Sequence, residues 1–289
     1  MIIVSLMGGQ GNQMFQYAFG RYFAIKNNTS LYLDLSILED KTPRIDFTIR
    51  DYKLDVYNLK AKKISRMQRF ICFNRYLRKI RRFFGIGFNE ITEHQIGFDK
   101  ELLKLQGHLF LTGYWQSEKY FSEISQHIRE EFKLKEKFKP ENQIINKILN
   151  TESVSIHIRR GDYVNNATNA SIYCECDNVY YEKAINIIER SVHKPLHFYI
   201  FSDDAAWVRL NFRLTSPYDI ISNENQNQAY QELQLMSLCK HNIIANSSFS
   251  WWAAWLNNNP SKIVIAPIKW FRDKDANSKD ITPEEWIKI

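Results

Sequence analysis

The segment Ser153-Val-Ser-Ile-His-Ile-Arg-Arg-Gly-Asp162 passes from an alternating apolar run into a polar turn that carries two adjacent arginines. The alternation predicts a buried strand with His157 and Arg159 on one face and Arg160 on the other. An arginine at the end of a parallel strand faces the crevice in which α/β sheets bind ligands. A guanidinium donates paired hydrogen bonds to phosphate oxygens, each worth roughly 1.5–3 kcal/mol. The segment therefore predicts an anion site, and an internal ion pair such as Arg160 with Asp162 is the structural alternative.

Strands and helices alternate along the chain on both sides of this segment. In the C-terminal half, strands are predicted at 153–158, 196–201, 242–245 and 262–266, and helices at 180–190, 231–239 and 248–256. In the N-terminal half, the predicted order is a strand at 2–6, a glycine turn, a helix from Asn12, a strand at 31–34, a short apolar run within 107–115 and a helix at 118–132. This alternation predicts an α/β fold with parallel sheets covered on both faces.

Length and composition fit a soluble protein with one large domain or two smaller ones. The chain has 289 residues, of which 44% are hydrophobic and 25% charged, and a chain of this size can bury two cores. The polar stretch 133–140 ends in proline and is the best linker candidate. No run reaches the roughly 18 apolar residues of a membrane span, and the first residues do not resemble a signal peptide. We therefore expect a cytoplasmic protein.

One segment makes the chain basic. The net charge is +7, and ten lysines and arginines lie between Lys60 and Arg82, with no acidic residue until Glu90. Apolar residues among these charges are spaced as in a pair of amphipathic helices. A solvated helical face is the default for a charge run, whereas the interleaved aromatic residues favour peripheral adsorption to an anionic membrane. A nucleic-acid-binding protein would show the same composition and is a rival interpretation.

A glycine-rich loop, Met7-Gly-Gly-Gln-Gly-Asn-Gln13, follows the first predicted strand. Glycines let the backbone pass close to a ligand, and N–H groups at a helix start favour an anion. The spacing differs from G-x-G-x-x-G, so a tight structural turn remains an alternative. The predicted donor contacts in this loop are Gly9, Gly11, Asn12 and Gln13.

Phe201-Ser-Asp-Asp204 ends another predicted strand, and its paired aspartates have three interpretations. They could hold Mg²⁺ or Mn²⁺ against a diphosphate, or one carboxylate could accept hydrogen bonds from guanine. Alternatively, Asp204 caps the following helix. Because arginines are available to neutralise a diphosphate, no metal or other cofactor is required. We include Ser202, Asp203 and Asp204 in the predicted donor site.

Asn246-Ser-Ser-Phe-Ser-Trp-Trp252 follows the predicted strand at 242–245 and opens a helix. Serine hydroxyls and N–H groups at a helix start form an anion site. Ser247, Ser248 and Ser250 are therefore the candidates for phosphate contact. The aromatic residues of this helix are more typical of a packed core.

Together these segments resemble the α1,2-fucosyltransferases of glycosyltransferase family 11. The resemblance rests on residues 8–18, 157–164, 201–204 and 235–252, which occur in the expected order. It implies a GT-B-like α/β fold of two Rossmann-like domains with parallel sheets. Residues 1–145 would shape the acceptor site and carry the basic helical insertion, and residues 146–289 would bind the GDP-sugar.

The resemblance also implies an activity. Such an enzyme moves L-fucose from GDP-β-L-fucose to O2 of a galactoside with inversion, without a metal, as in O-antigen or other surface polysaccharide or oligosaccharide synthesis. The acceptor would be a galactose-terminated glycan or a lipid-linked oligosaccharide. The family pattern favours guanine recognition by the aspartate pair. Where an aspartate is expected ahead of Leu-x-Leu-Met-Ser, this chain has Glu232.

The predicted site residues fall into two groups. By similarity, Arg159 binds the donor diphosphate, and Asp162 is the first candidate for a general base, ahead of Glu175 and Asp177. The predicted catalytic residues are Arg159, Asp162 and His157. The remaining donor contacts are Arg160, Asn246, Ser247, Ser248, Phe249 and Ser250, together with the glycine loop and the segment 202–204.

Three alternatives stay open. The donor could be another GDP-sugar, or the acceptor a different hydroxyl. The chain could instead be a basic protein that binds nucleic acid or a membrane surface, or a carbohydrate-binding module without activity. Our prediction is an enzyme with no nucleic-acid partner.

Overall fold

The chain divides into two compact units, Met1–Glu136 and Lys137–Ile289. The computed structural model describes residues 1–42, 50–74, 87–136, 143–161, 171–174, 176–221, 228–273 and 277–289. The division falls within the linker predicted at 133–140, whereas the boundary predicted after residue 145 falls inside the helix Gln143–Asn150.

Unit 1 is built on a parallel sheet. Among its described residues the strand order is β3-β2-β1-β5-β4, with every pair parallel. The strands are β1 (Ile2–Ser5), β2 (Leu31–Asp34), β3 (Lys62–Lys63), β4 (Asn89–Thr92) and β5 (Leu109–Thr112). The helices are α1 (Gln10–Lys26), α2 (Ser36–Glu39), α3 (Arg66–Phe73) and α4 (Ser125–Glu131).

The core of unit 1 forms where α1 packs on β1. A Cβ on Gly20 would come within 2.8 Å of Leu31 and 3.3 Å of Val4, so glycine permits the close approach of this helix to the sheet. Phe19, on the buried face of α1, stacks on Trp115 at 4.4 Å between ring centroids. The predicted strand at 2–6 is confirmed, and α1 begins at Gln10, two residues before the predicted start.

The single helix predicted for 118–132 is wrong. The chain instead forms two short 3-10 helices, Glu118–Tyr120 and Ser122–Ile124, before α4 begins. Ser117 caps the first of them, and Phe121 has φ −136°, which lies outside the helical range and interrupts the α-helix. Tertiary packing explains this, because Tyr120 and Phe121 are both buried in the core of unit 1.

Unit 2 is built on a parallel sheet. Its described strands are β6 (Glu152–Ile158), β7 (Leu196–Ser202), β8 (Tyr218–Ile221), β9 (His241–Ile243), β10 (Val264–Ala266) and β11 (Ile287–Lys288). Its described helices are α5 (Gln143–Asn150), α6 (Asn178–Ser191), α7 (Ala205–Asn211), α8 (Ala229–Leu238) and α9 (Ser248–Leu256). Among the described residues of this unit, a helix lies between each pair of successive strands from β6 to β10. Every strand and helix predicted in this half is present, with ends that differ by a few residues.

The strand order of unit 2 locates its ligand crevice. Among the described residues the order is β11-β10-β9-β6-β7-β8, in which the chain winds outward from β6 in one direction and from β9 in the other. This is the doubly wound Rossmann order, and its switch point lies between β6 and β9. Ligands of such sheets bind beyond the carboxyl ends of the strands at the switch point. The predicted GT-B-like fold class is confirmed.

The apolar core of unit 2 holds these strands in place. Val154, Ile156 and Ile158 of β6 pack with Ala184 and Ile188 of α6, and all five side chains are buried.

Within the described part of the chain, no helix is both long and apolar enough to cross a membrane.

Candidate functional site

Two loop segments lie at the switch point of unit 2, where β6 and β9 are neighbours. Arg159, Arg160 and Gly161 directly follow β6, and residues 244–247 connect β9 to the start of α9. Since β6 and β9 are hydrogen-bonded neighbours, both segments leave the same edge of the sheet. The topology therefore brings together the arginine pair and the serine-rich helix start that the sequence had singled out separately.

Asp203, which follows β7, organises the loop after β6. Its Oδ2 pairs with Arg159 Nη1 at 2.7 Å, and its Oδ1 accepts the Arg160 backbone N–H at 2.9 Å. The Arg159 and Asp203 side chains are 24% and 23% exposed, so the pair borders solvent. The internal ion pair thus joins Arg159 to Asp203, and Asp162, the partner considered for Arg160, lies outside the described residues.

Gly161 lies against the same carboxylate. A Cβ at this position would come within 2.6 Å of Asp203 Oδ2 and 3.1 Å of its Cγ. Because Asp203 already holds Arg159 and Arg160, it has little room to shift. A side chain at position 161 would therefore displace the Asp203 carboxylate from its present position.

Arg160 and Asp204 have structural roles that the sequence left as alternatives. The Arg160 guanidinium lies 3.9 Å from the centroid of the Trp207 ring, a cation–π contact. Asp204 caps α7 by accepting the Trp207 N–H at 3.0 Å, which confirms the capping interpretation. Ser202 is buried, and its hydroxyl oxygen accepts the Asp204 N–H at 3.0 Å. These contacts position Asp203 at the start of the turn.

His157 is a buried neutral imidazole beneath this loop. It is 4% exposed, and its ring lies 5.7 Å from the ring of Phe249. Its pKa is lowered from 6.5 to about 4, chiefly by burial; the charge of Asp203 acts in the opposite direction, and the charge of Arg159 adds to the lowering. A group with this pKa is a weak proton acceptor at neutral pH. Burial and this lowered pKa favour a role in supporting the loop, and the catalytic role of His157 stays a prediction.

The start of α9 separates residues that face the surface from residues that stabilise the turn. Ser247 caps the helix by accepting the Phe249 N–H at 3.4 Å, and Ser248 and Phe249 are partly exposed. Ser250 is fully buried, and its hydroxyl donates to the Ser247 carbonyl at 3.3 Å. The buried Asn246 amide donates to the carbonyls of residues 174 and 270. Ser250 and Asn246 therefore stabilise the fold, and their donor contact stays a prediction.

The glycine loop of unit 1 follows β1, which lies next to β5 in its sheet. Gly8 has φ +74°, and Gly9 is the N-cap of α1. The fully buried Gln13 donates to the carbonyls of residues 8 and 51 at 2.9 Å, so it fixes the loop, and its role as a donor contact stays a prediction. Asn12 is partly exposed and accepts a hydrogen bond from Gln116 at 2.8 Å, and Gly11 is buried within α1.

A model of the family described as glycosyl transferase family 11 matches residues 4–289. The chain belongs to glycosyltransferase family 11. The resemblance based on the four sequence segments is thereby confirmed, and the protein is a glycosyltransferase.

Two bacterial relatives of this family-11 chain match along their full length. An α-1,2-colitosyltransferase of Escherichia coli is 34% identical over 100% of this chain and 99% of its own. An O-antigen biosynthesis glycosyltransferase of Escherichia coli is 32% identical over 98% of this chain and 99% of its own. A galactoside 2-α-L-fucosyltransferase of Bos taurus is 30% identical over 50% of this chain and 41% of its own.

One solved structure supports the fold. A mutant of Arabidopsis thaliana FUT1 in complex with GDP aligns with a TM-score of 0.50 at 12% identity, over 91% of this chain and 69% of its own. At this identity the likeness concerns the fold alone. It agrees with the two parallel sheets of the family-11 protein.

Of the three candidates for a general base, Asp177 alone lies among the described residues. Asp162 and Glu175 lie outside them. Asp177 caps α6 by accepting the Tyr180 N–H at 2.8 Å, so it is a capping residue. Within the described part of the chain, no three histidine, cysteine, aspartate or glutamate residues lie close enough together to hold a metal ion.

Sequence reasoning missed a polar cluster at the carboxyl edge of the unit 1 sheet. Glu93 follows β4, and its carboxylate accepts the Tyr114 N–H at 2.6 Å and the Trp115 N–H at 3.2 Å. Burial raises the pKa of Glu93. Trp115 is fully buried at φ +56°, a conformation that is rare for a bulky residue and concentrates at functional sites. The available signal was Gly113-Tyr-Trp115 directly after an apolar run.

Proposed function

We propose that this family-11 protein transfers L-fucose from GDP-β-L-fucose to O2 of a galactose, with inversion at the anomeric carbon. The observation that carries the proposal is Arg159, a partly exposed arginine held by Asp203 at the switch point of unit 2. Family membership supports sugar transfer. The galactoside 2-α-L-fucosyltransferase among its relatives supports the choice of fucose and of O2.

The donor diphosphate binds between the loop after β6 and the start of α9. A guanidinium has five N–H donors, more than one carboxylate can occupy, so Arg159 can serve Asp203 and a phosphate together. The first N–H groups of α9 point toward the same edge of the sheet, with Ser247 and Ser248 beside them. Positive charge and N–H donors at this position favour the diphosphate, which is dianionic in the donor and gains a further negative charge as it leaves. Donor contact by Gly9, Gly11 and Asn12 stays a prediction from the sequence.

The reaction breaks the bond between the anomeric carbon and the diphosphate while the acceptor O2 attacks from the opposite face. Negative charge grows on the GDP oxygen as the bond breaks, and preorganised donors stabilise that charge without reorganisation. The hydroxyl proton leaves during this step. Because burial lowers the pKa of His157 to about 4, it is a weak base at neutral pH. Asp162 remains the proposed base, and no metal is required in this scheme.

We place the acceptor on unit 1, at the carboxyl edge of β4 and β5. Tyr114 is 39% exposed there and offers an aromatic face of the kind that packs on a sugar ring. Glu93 fixes the backbone of Tyr114 and Trp115, so the loop is rigid before the acceptor arrives. A preformed platform lowers the entropic cost of binding.

Replacement of Arg159 tests the proposal. Arg159→Ala should lower kcat by about 10²- to 10³-fold, the loss that follows removal of one stabilising donor. Arg159→Lys keeps the charge without the planar fork and should recover only part of the rate. Arg190→Ala removes an exposed arginine of α6 and is the control. Wild-type turnover by Arg159→Ala with GDP-fucose would contradict the assignment.

A second donor, GDP-colitose, is favoured by one observation. The α-1,2-colitosyltransferase is 34% identical to this chain over its whole length. Colitose is L-fucose without the 3-hydroxyl, so both donors present the same diphosphate and anomeric carbon. Measuring kcat/KM for both GDP-sugars with a β-galactoside distinguishes the donors. Repeating the assay with EDTA tests whether the reaction needs a metal. Loss of activity in EDTA, restored by Mg²⁺, would contradict the metal-independent scheme.

A further inference from the structure

Helix α3 exposes a continuous apolar stripe. Met67, Phe70 and Ile71 are 71%, 61% and 46% exposed. Their spacing of three and four residues places them side by side on one face of the helix. Three large apolar side chains on one exposed face form a patch, in contrast to the scattered apolar residues common on protein surfaces.

The opposite side of α3 is attached to unit 1. Arg69 pairs with the buried Asp34 of β2 at 3.1 Å between Nε and Oδ2, and Cys72 is buried. Ser65 and Gln68 form a reciprocal capping box that fixes the start of the helix. The helix therefore presents its stripe outward in a set orientation.

Positive charge borders the stripe. Lys62, Lys63 and Arg66 are exposed and lie at or just before the start of α3. Residues 60–82 contain ten basic residues and no acidic residue. A second copy of the chain on this stripe would bring like charges together. Nucleic acid would contact the charges, but Met67 and Ile71 cannot stack on bases as aromatic side chains do.

We propose that α3 docks unit 1 onto an anionic lipid surface, with Met67, Phe70 and Ile71 inserted at the headgroup boundary. The basic residues then contact lipid phosphates, and the long lysine and arginine side chains reach the headgroups while their methylenes lie along the apolar layer. The inference depends on α3 and the basic residues around it, so it stands or falls independently of the sugar donor.

Vesicle sedimentation of the full chain tests the docking. The wild type is incubated with phosphatidylcholine vesicles, with or without phosphatidylglycerol, at low and high salt. The variant Met67→Ser/Phe70→Ser/Ile71→Ser removes the stripe. The control Leu149→Ser/Leu210→Ser/Ile268→Ser removes three apolar side chains of unit 2 that are 53%, 78% and 63% exposed. Melting temperature, solution mass and GDP binding are measured for each protein.

The wild type and the control should sediment with phosphatidylglycerol vesicles, and less at high salt. The stripe variant should lose at least about tenfold in partition, because little apolar area remains to insert. Equal sedimentation of wild type with both vesicle types would overturn the proposal. So would wild-type sedimentation of the stripe variant, since that marks a purely electrostatic polyanion patch. A wild-type dimer that the stripe variant converts to a monomer would assign the stripe to self-association instead.

Discussion

At the scale of single residues, Asp203 determines where Arg159 can act. One carboxylate oxygen holds the Arg159 guanidinium, and the other holds the backbone of Arg160. The arginine is thus oriented before any ligand binds, which lowers the cost of ordering a long side chain. Asp203 is a positioning residue in this arrangement.

Gly161→Ala should disturb this arrangement without touching a charged group. The added Cβ would lie 2.6 Å from Asp203 Oδ2, so the aspartate must move and Arg159 with it. A shift of about 1 Å at a reacting group costs about 10²-fold in rate, and we expect a loss of that order in kcat/KM. Gly87→Ala, where a Cβ meets nothing within 4 Å, is the control. If Gly161 acts through Asp203, Gly161→Ala should cost much less in an Asp203→Ala background, and an undiminished loss would refute the link.

His157 should make the fold sensitive to acid. Its pKa is about 4 in the folded chain against 6.5 for a free imidazole, so protons bind preferentially to the unfolded chain between these values. The free energy of unfolding should keep the full contribution of the neutral His157 above about pH 6.5. It should fall as the pH drops toward 4, by roughly 3 kcal/mol for a shift of this size. Urea unfolding of wild type and His157→Asn across this range measures the difference. Parallel pH profiles for the two proteins would show that His157 is not the sensitive group.

At the scale of helices and strands, the sequence was informative where one sheet buries both faces of each strand. Apolar runs, alternating with polar residues in β6, predicted β1, β6, β7 and β9, and the polar segments after them supplied most of the candidate site residues. Edge strands such as β3, which reads Lys-Lys, and β4, which reads Asn-Glu-Ile-Thr, lack that signal and were missed. Their pairing depends on distant neighbours.

Side-chain roles were harder to predict than the elements that carry them. Hydroxyls and amides near a helix start are equally suited to a phosphate and to the helix backbone. Only the fold shows that Ser250 faces inward while Ser248 is partly exposed. The same holds for Gln13, whose amide donates hydrogen bonds to the carbonyls of Gly8 and Asp51.

Asn242 of β9 should be essential for the attachment of α8 and α9 to the sheet. Its fully buried amide donates to Ser155 of β6 at 2.7 Å and to the Met236 carbonyl at 2.9 Å, and its oxygen accepts from Asn257 at 2.8 Å. Asn242→Ala leaves these partners unsatisfied and should lower the free energy of unfolding by about 2–4 kcal/mol. The exposed Asn186→Ala in α6 should change it by less than about 0.5 kcal/mol. Thermal unfolding followed by circular dichroism compares the two, and similar values would contradict the network's importance.

At the scale of the whole molecule, the two units contain different candidate functional features. Unit 2 has its own core and the doubly wound strand order, and it contains Arg159, Asp203 and the start of α9. Unit 1 contributes the glycine loop, the cluster around Glu93 and the exposed stripe of α3. Donor recognition should therefore be largely a property of unit 2.

Residues 137–289, expressed alone, should fold cooperatively and bind GDP within about tenfold of the intact chain, because the principal charged contacts are retained. Circular dichroism on heating tests the folding, and isothermal titration calorimetry measures binding. The same fragment with Arg159→Ala should bind much more weakly, which ties the signal to the proposed site. A folded fragment that fails to bind GDP, when the intact chain binds it, would move essential contacts to the glycine loop around Gly9. In that case the N–H groups of α1, and not the guanidinium of Arg159, would supply most of the binding energy for the diphosphate.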